Sequence, residues 1–191
     1  VISVAELAPD DYLIKPFTAE QLQGRLVKAI YKKHFFERVF THLDNGAFVD
    51  ALAACEGLIG QEDLFLYDTL RFKGEILNNL GRHEEAKAIY QQILDSAVVP
   101  WARMGLAIAK RGLDELADAE ELGTSIIEDF PEYLAADDFV ASVREEMGRR
   151  EDAQEALLKA SEMSPNNTLR QRMVGDVAVR NNDLAAAERA Y

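Results

Sequence analysis

Cysteine, histidine and long apolar runs are all scarce in this chain. Cys55 is the only cysteine among 191 residues, so no disulfide can form within the chain. The three histidines are scattered and do not have the spacing of a structural zinc site. No apolar run approaches the roughly 18 residues that a membrane-spanning helix needs. The sequence therefore predicts no disulfide, metal site or membrane span, and a reducing, cytoplasmic compartment fits a single thiol.

Basic residues are also in the minority. The chain has 21 Lys and Arg against 34 Asp and Glu, for a net charge of −13. Such a chain repels phosphate backbones and anionic lipid, so neither nucleic-acid nor membrane binding is expected. The hydrophobic share of 48% fits a folded protein with a substantial core.

The motifs of common catalytic sites are missing. We find no glycine-rich phosphate loop, no GxSxG and no HExxH. Cys55 lies in an alanine-rich segment without a His or Asn motif around it, which indicates a buried structural thiol. The sequence therefore predicts neither an enzyme nor a cofactor. Because it starts without Met and stops within a helical pattern at Tyr191, we expect a fragment at both ends.

The N-terminal region combines one strand pattern with one helix pattern. Residues 11–14 predict a short strand, and Pro16 then excludes helical continuation. Thr18 followed by Gln21 has the form of a capping box, so we expect a helix to begin there. Its apolar residues recur at intervals of three and four and form one stripe. They are Leu22, Leu26, Val27, Ile30 and Tyr31.

The rest of the chain predicts helices separated by short breaks, and small residues recur in it with one spacing. Three sets of markers each repeat at intervals of 31, 36 and 34 residues. They are Gly74, Gly105, Ala141 and Gly175; Gly81, Gly112, Gly148 and Asn182; and Ala86, Ala117, Ala153 and Ala187. We interpret the first set as sites of close helix approach, the second as turns, and the third as contacts with the next repeat.

This period, with two helices in each repeat, resembles the tetratricopeptide repeat (TPR). The resemblance implies an all-α, TPR-type α-solenoid over residues 34–191, with a degenerate first repeat at Gly46 and Ala51 and a truncated last one. Glu121, Ile93 and Thr124 depart from the family pattern.

In this family the first helices of the repeats line a concave groove that holds a protein or peptide ligand. The resemblance places candidate binding residues in that groove, namely Arg71, Asn78, Asn79, Leu106, Lys110, Arg172 and Arg180. Some relatives grip a terminal carboxylate with Lys and Asn at fixed positions. Here Glu75 follows Arg71 where Asn is required, so that clamp is not expected. The middle of the groove, with Ala102 and Leu106, indicates an apolar or helical ligand segment.

The string Asp11-Tyr12-Leu13-Ile14-Lys15-Pro16-Phe17 before a capped helix is similar to the end of a two-component receiver (α/β) domain. The resemblance covers residues 1–33 and implies a last strand and last helix. It also implies that Lys15 is the phosphoryl-contacting lysine, that Tyr12 is the switch aromatic, and that the Lys15–Pro16 bond is cis. The acceptor Asp and the Mg²⁺ pocket belong to earlier strands, so this piece cannot take up phosphate, and Mg²⁺ is expected only in an intact receiver.

A strand and a helix without the rest of their sheet leave apolar surface uncovered. We therefore expect the helix from Thr18 to pack on the repeats that follow, or on a second chain as a homodimer. The resulting hypothesis is a response-regulator-like protein whose output module is a TPR array that binds another protein. The alternatives are a constitutive oligomeric scaffold and a regulatory region of a larger enzyme.

Overall fold

The computed structural model describes residues 15–61 and 63–191. These divide into two compact units, an N-terminal unit that ends at Ala97 and a C-terminal unit that runs from Val98 to Tyr191. Throughout the described residues the regular secondary structure is helical, which confirms the all-α prediction for the repeats. The predicted strand 11–14 lies outside the described residues.

The N-terminal unit contains a long first helix and two helical hairpins. Its helices are α1 (Ala19–Phe35), α2 (Glu37–Asp44), α3 (Phe48–Glu56), α4 (Leu66–Asn79) and α5 (His83–Leu94), with a 3₁₀ turn at Asp63–Phe65 before α4. Helices α2 and α3 pack together, as do α3 and α4, and α4 and α5.

The C-terminal unit consists of three helical hairpins. Its helices are α6 (Pro100–Gly112), α7 (Leu116–Asp129), α8 (Ala135–Glu146), α9 (Arg150–Met163), α10 (Thr168–Arg180) and α11 (Leu184–Ala190). Each helix packs against the next one in the chain. This order of contacts is typical of stacked repeats, in which every hairpin is covered by its neighbours.

Helix α1 begins as the sequence predicts. The Thr18 hydroxyl accepts a hydrogen bond from the Gln21 backbone N–H at 3.1 Å, and the Gln21 side chain accepts one from the Thr18 N–H at 2.9 Å. The Lys15–Pro16 peptide bond is cis, as predicted. The helix runs to Phe35, past the predicted domain boundary at residue 33, and only Phe36 separates it from α2.

A cluster of aromatic rings anchors the C-terminal end of α1. Phe36 is fully buried, and its ring centroid lies 5.9 Å from that of Phe65 and 4.8 Å from that of Phe72. Tyr31 and Phe35 also contact Phe65, at 5.5 and 5.1 Å. The prediction that this helix packs on the following repeats is therefore confirmed for its last turns.

The N-terminal turns of α1 keep their apolar stripe exposed. Leu26 is 52% exposed and Val27 is 60% exposed, and Leu22 and Ile30 are also exposed. Within the described residues, α1 buries no side chain over this stretch. The stripe predicted from the sequence thus divides into a packed end and an uncovered end.

Glycine at the close-approach position lets an aromatic ring of the second helix rest on the first. A Cβ atom built on Gly74 would lie 2.6 Å from Cζ of Tyr90, and one on Gly175 would lie 2.7 Å from Cζ of Tyr191. Any side chain here would overlap the ring, because carbon atoms in contact are about 3.5–4.0 Å apart. These contacts confirm the role predicted for Gly74 and Gly175.

The markers predicted for the second full repeat, formed by α6 and α7, are wrong by two residues. Ala117 is exposed, whereas Ala119 is fully buried. Gly112 belongs to α6, and the left-handed residue that makes the turn comes later, at Asp114 (φ 64°). In this repeat the close-approach, turn and contact positions are therefore held by Ala107, Asp114 and Ala119. The sequence pattern assigns them to Gly105, Gly112 and Ala117.

The corrected positions make the repeat more regular. The close-approach residues become Gly74, Ala107, Ala141 and Gly175, at intervals of 33, 34 and 34 residues. Gly123 then occupies the position of Tyr90, and a Cβ on it would lie 2.5 Å from Cγ2 of Val140. Glu121 and Thr124 are therefore not departures from the packing pattern.

Cys55 is a structural thiol, as predicted. It is fully buried, and its Sγ donates a hydrogen bond to the Thr69 carbonyl at 3.2 Å. Burial raises the pKa of the thiol to about 11. The protonated, uncharged side chain thus joins α3 to α4.

We predict that Gly74→Ala destabilises the protein by about 1–2 kcal/mol. Overlap with the buried Tyr90 ring outweighs the gain of up to about 1 kcal/mol that Ala brings in a helix. Gly24→Ala is the matched control, because nothing lies within 4 Å of its Cβ in α1, and it should be neutral or stabilising. Urea unfolding followed by circular dichroism measures both, and equal effects of the two substitutions would contradict the packing role.

The assignment of the turn to Asp114, and not to Gly112, gives a second prediction. Gly148 has φ 79°, so Gly148→Ala should cost about 1–2 kcal/mol. Gly112 is helical and should accept Ala without loss. The sequence markers place both glycines in the same role and would predict similar losses. The two free energies of unfolding, measured side by side, decide between the assignments.

Candidate protein-binding surface

The surface formed by the first helices of the repeats differs from the predicted one in α6. Leu106, a predicted groove residue, is only 6% exposed and offers a ligand little surface. With the corrected repeat positions its equivalent is Ile108, which is 40% exposed. Ala102 is also fully buried, so the apolar middle predicted for the groove is not accessible in this helix.

Lys110, another predicted groove residue, is engaged within its own repeat. Its Nζ donates to Glu115 Oε2 at 2.7 Å and to Asp118 Oδ2 at 2.6 Å. Hydrogen bonds to Asp118 and Glu115 raise the pKa of Lys110. The cationic group that α6 presents to the next repeat is instead Arg111.

Arg111 links α6 to α8. Its Nε lies 3.0 and 2.9 Å from the two carboxylate oxygens of Glu146, and Nη1 donates to Ser142 Oγ at 3.1 Å. The guanidinium also lies 6.0 Å from the Phe139 ring centroid. The hydrogen bond from Arg111 lowers the pKa of Glu146.

Arg180 makes the equivalent link between α8 and α10. Its Nε donates to Glu145 Oε1 at 2.7 Å and its Nη2 to Oε2 at 3.0 Å, which is a bidentate pair. Both links, Arg111 to Glu146 and Glu145 to Arg180, span 35 residues. We call these four residues the charged row.

The charged row is accessible. The side chains of Arg111 and Glu146 are 35% and 42% exposed, and that of Arg180 is 46% exposed. Exposed ion pairs typically contribute only about 0–1 kcal/mol to stability. A partner can therefore exchange its own charged groups for these pairs without unfolding the repeats.

Arg172 lies on the same helix as Arg180 and is largely exposed. It lies 3.8 Å from Asp176, whose Oδ1 accepts a hydrogen bond from the Tyr191 hydroxyl at 2.5 Å. Arg172 is the predicted groove residue of the C-terminal unit that is most open to a ligand.

The three candidates in the N-terminal unit make short-range contacts. Arg71 Nε donates to Glu75 Oε1 at 2.8 Å, and the Asn79 amide donates to the Glu75 carbonyl at 2.8 Å. Asn78 Oδ1 lies 3.2 Å from His83 Nδ1. Their binding role stays a prediction.

Sequence reasoning missed a buried ion pair between α8 and α10. Arg170 is only 1% exposed and donates from Nε and Nη2 to the two Asp138 oxygens, both at 2.7 Å. This pairing leaves the Asp138 carboxylate engaged with Arg170. The charged row could have been found from the sequence, because charges of opposite sign recur one repeat apart.

Of the residues named by the receiver resemblance, Tyr12 lies outside the described residues. Lys15 is exposed and precedes α1. Among residues 15–61 and 63–191, no three His, Cys, Asp or Glu side chains gather as a metal ion requires. No helix of the described part is long and apolar enough to span a membrane.

Comparisons with known proteins agree with the repeat assignment. A tetratricopeptide-repeat family model matches residues 71–97 and 139–167. These segments fall in the first and third full repeats, on either side of the repeat whose positions are corrected above. Comparison with curated proteins gives no match.

Three solved structures, two of them of TPR proteins, share the fold. A thermophilic TPR protein from Thermus thermophilus superposes with a TM-score of 0.67 at 16% identity, over 83% of this chain and 87% of that one. MamA from Desulfovibrio magneticus RS-1, from its residue 41 to its end, gives 0.63 at 18% identity, over 83% and 89%. A TPR protein from Parabacteroides merdae gives 0.62 at 17% identity, over 83% and 63%. The chain therefore contains tetratricopeptide repeats in an all-helical, TPR-like fold.

Proposed function

We propose that this chain is a non-enzymatic protein-binding module whose C-terminal unit binds a polypeptide along the charged row. TPR repeats are typical of protein–protein interaction. The observation that carries the proposal is that charge alternates in sign along successive first helices, at the spacing of one repeat, in the exposed or half-buried side chains Arg111, Glu146, Glu145 and Arg180. A polypeptide with charges of both signs matches such a surface better than a nucleic acid does.

Apolar side chains beside the row give the partner a second kind of contact. Ile108 is exposed on α6 and Val179 on α10, next to Arg180. Interfaces combine such apolar contacts with a polar rim. The predicted ligand, an apolar or helical segment, fits if its apolar residues are flanked by charges.

We further propose that a receiver domain on the N-terminal side controls this module. The support is the connection at Phe36, a single buried residue between α1 and α2, together with the exposed stripe at the start of α1. Covering that stripe with a sheet would remove its apolar atoms from water. A homodimer through residues 1–33 and a cytoplasmic location stay predictions.

The charged row is tested by reversing charges. Arg111→Glu combined with Arg180→Glu should weaken binding of an affinity-captured, purified partner at least tenfold, since each change places like charges together. Arg150→Glu combined with Arg189→Glu is the control, because it makes the same charge change on two exposed residues of second helices. Isothermal titration measures the affinities. Similar losses for both variants would point to net charge alone and would contradict the proposed surface.

Control through α1 is tested in the longest natural chain that contains these residues. A Gly-Ser-Gly insertion after Lys33 should abolish any effect of phosphorylation on partner affinity, because it breaks the helical connection. The same insertion after Gly60, in the turn that follows α3, should leave the effect intact. If partner affinity still responds to phosphorylation in the Lys33 variant, the rigid connection is not the route of control.

A further inference from the structure

A groove of about 380 Å³ lies in the N-terminal unit, on a surface that the charged row does not include. Its walls come from the end of α1, from α2 and α3, and from the turn that follows α3. Phe35 and Leu58 supply apolar surface, and Arg38, His42 and Asp50 supply polar groups. The small alanine side chains of α3 leave the groove open between the apolar and the polar groups.

Two of these polar groups lie side by side. Arg38 and His42 are four residues apart on α2, so they project from the same face of the helix. Arg38 is exposed and His42 is half-buried. The groove therefore has one wall with a guanidinium and an imidazole next to each other.

Arg38 differs from Arg71 and Arg82 of the same unit. Those two arginines each pair with a glutamate, at 2.8 and 2.6 Å. Neither the Arg38 guanidinium nor the His42 ring makes a hydrogen bond or ion pair with the described residues. In a chain with a net charge of −13, a guanidinium that makes no ion pair with the described residues is open to an external anion.

Asp50 limits which anion fits. It is exposed and lines the same groove, so it adds a negative charge to the site. Arg38 attracts the second charge of a phosphate while Asp50 repels it, so this charge brings a phosphate little net advantage over a carboxylate. A carboxylate can also engage the guanidinium in a bidentate pair.

We propose that this groove binds an acidic side chain of a partner polypeptide. The carboxylate pairs with Arg38 and His42, and a neighbouring apolar side chain packs on Phe35 and Leu58. Asp50 then faces the backbone N–H groups of the bound segment. The site is separate from the charged row, so either can fail without the other.

The test uses the full 191-residue chain, labelled with ¹⁵N, and two matched probes. Acetyl-Leu-Glu-Leu-amide should shift the amide signals of α2 and α3 and bind about tenfold more tightly than acetyl-Leu-Gln-Leu-amide, because only the first carries the carboxylate. Equal affinities, or shifts that lie away from the groove, would overturn the proposal.

Variants separate a direct contact from a structural effect. Arg38→Gln should weaken binding of the Glu peptide about tenfold, whereas Arg150→Gln, an exposed arginine of α9, should leave the affinity unchanged. Asp50→Asn should tighten binding about two- to threefold by removing a like charge, a gain that damage to the fold does not produce. Loss of affinity in Asp50→Asn, or none in Arg38→Gln, contradicts the assignment.

Small anions complete the experiment. Sodium acetate should bind more weakly than the Glu peptide, because it lacks the apolar contacts with Phe35 and Leu58. Inorganic phosphate should also bind more weakly, because it too lacks the apolar contacts and its second charge gains little beside Asp50. If either ion binds as tightly as the peptide, the groove is an anion site and the polypeptide assignment fails.

Discussion

The close approach of two helices within each hairpin is the constraint on which the structure depends. Where one helix carries a ring, as at Tyr90 and Tyr191, the other must carry no side chain, as at Gly74 and Gly175. The hairpin of α6 and α7 satisfies the same constraint with small residues on both helices, and Val140 from the next hairpin approaches Gly123. Protein interiors are packed at the density of organic crystals. Each aromatic ring on one helix therefore needs a position without a side chain opposite it on the other helix.

Much of this arrangement could be predicted from the sequence. The period of the small residues indicates the fold, and Thr18 and Gln21 locate the start of α1. The error in the second full repeat has a simple cause. Gly105, Gly112 and Ala117 have the same internal spacing as Ala107, Asp114 and Ala119, and glycine is the usual residue in a left-handed turn. Asp tolerates that backbone too, and only three-dimensional packing shows which set is buried.

Helix α1 shows where pattern analysis ends. Its apolar stripe is continuous in sequence, and periodicity alone predicts one uniform face. Only the end near Tyr31 and Phe35 makes tertiary contacts, because the ring that meets them, Phe65, lies about thirty residues further along the chain. Lys32 strengthens the contact with an ion pair to Asp68 at 2.6 Å. Long-range partners of this kind decide which part of an amphipathic helix makes tertiary contacts.

Arg111 is already paired with Glu146, and Arg180 with Glu145, so recognition along these helices requires that an existing ion pair be broken. A ligand contacts one of these side chains only by displacing its present partner. The electrostatic energy of the new contact is therefore offset by the energy lost when the old ion pair breaks. Selectivity then depends on how well the ligand reproduces the planar, bidentate geometry of the ion pair that it displaces. The net charge of the ligand therefore has little effect on its affinity. A higher ionic strength weakens the ion pairs of the free protein and those of the complex alike.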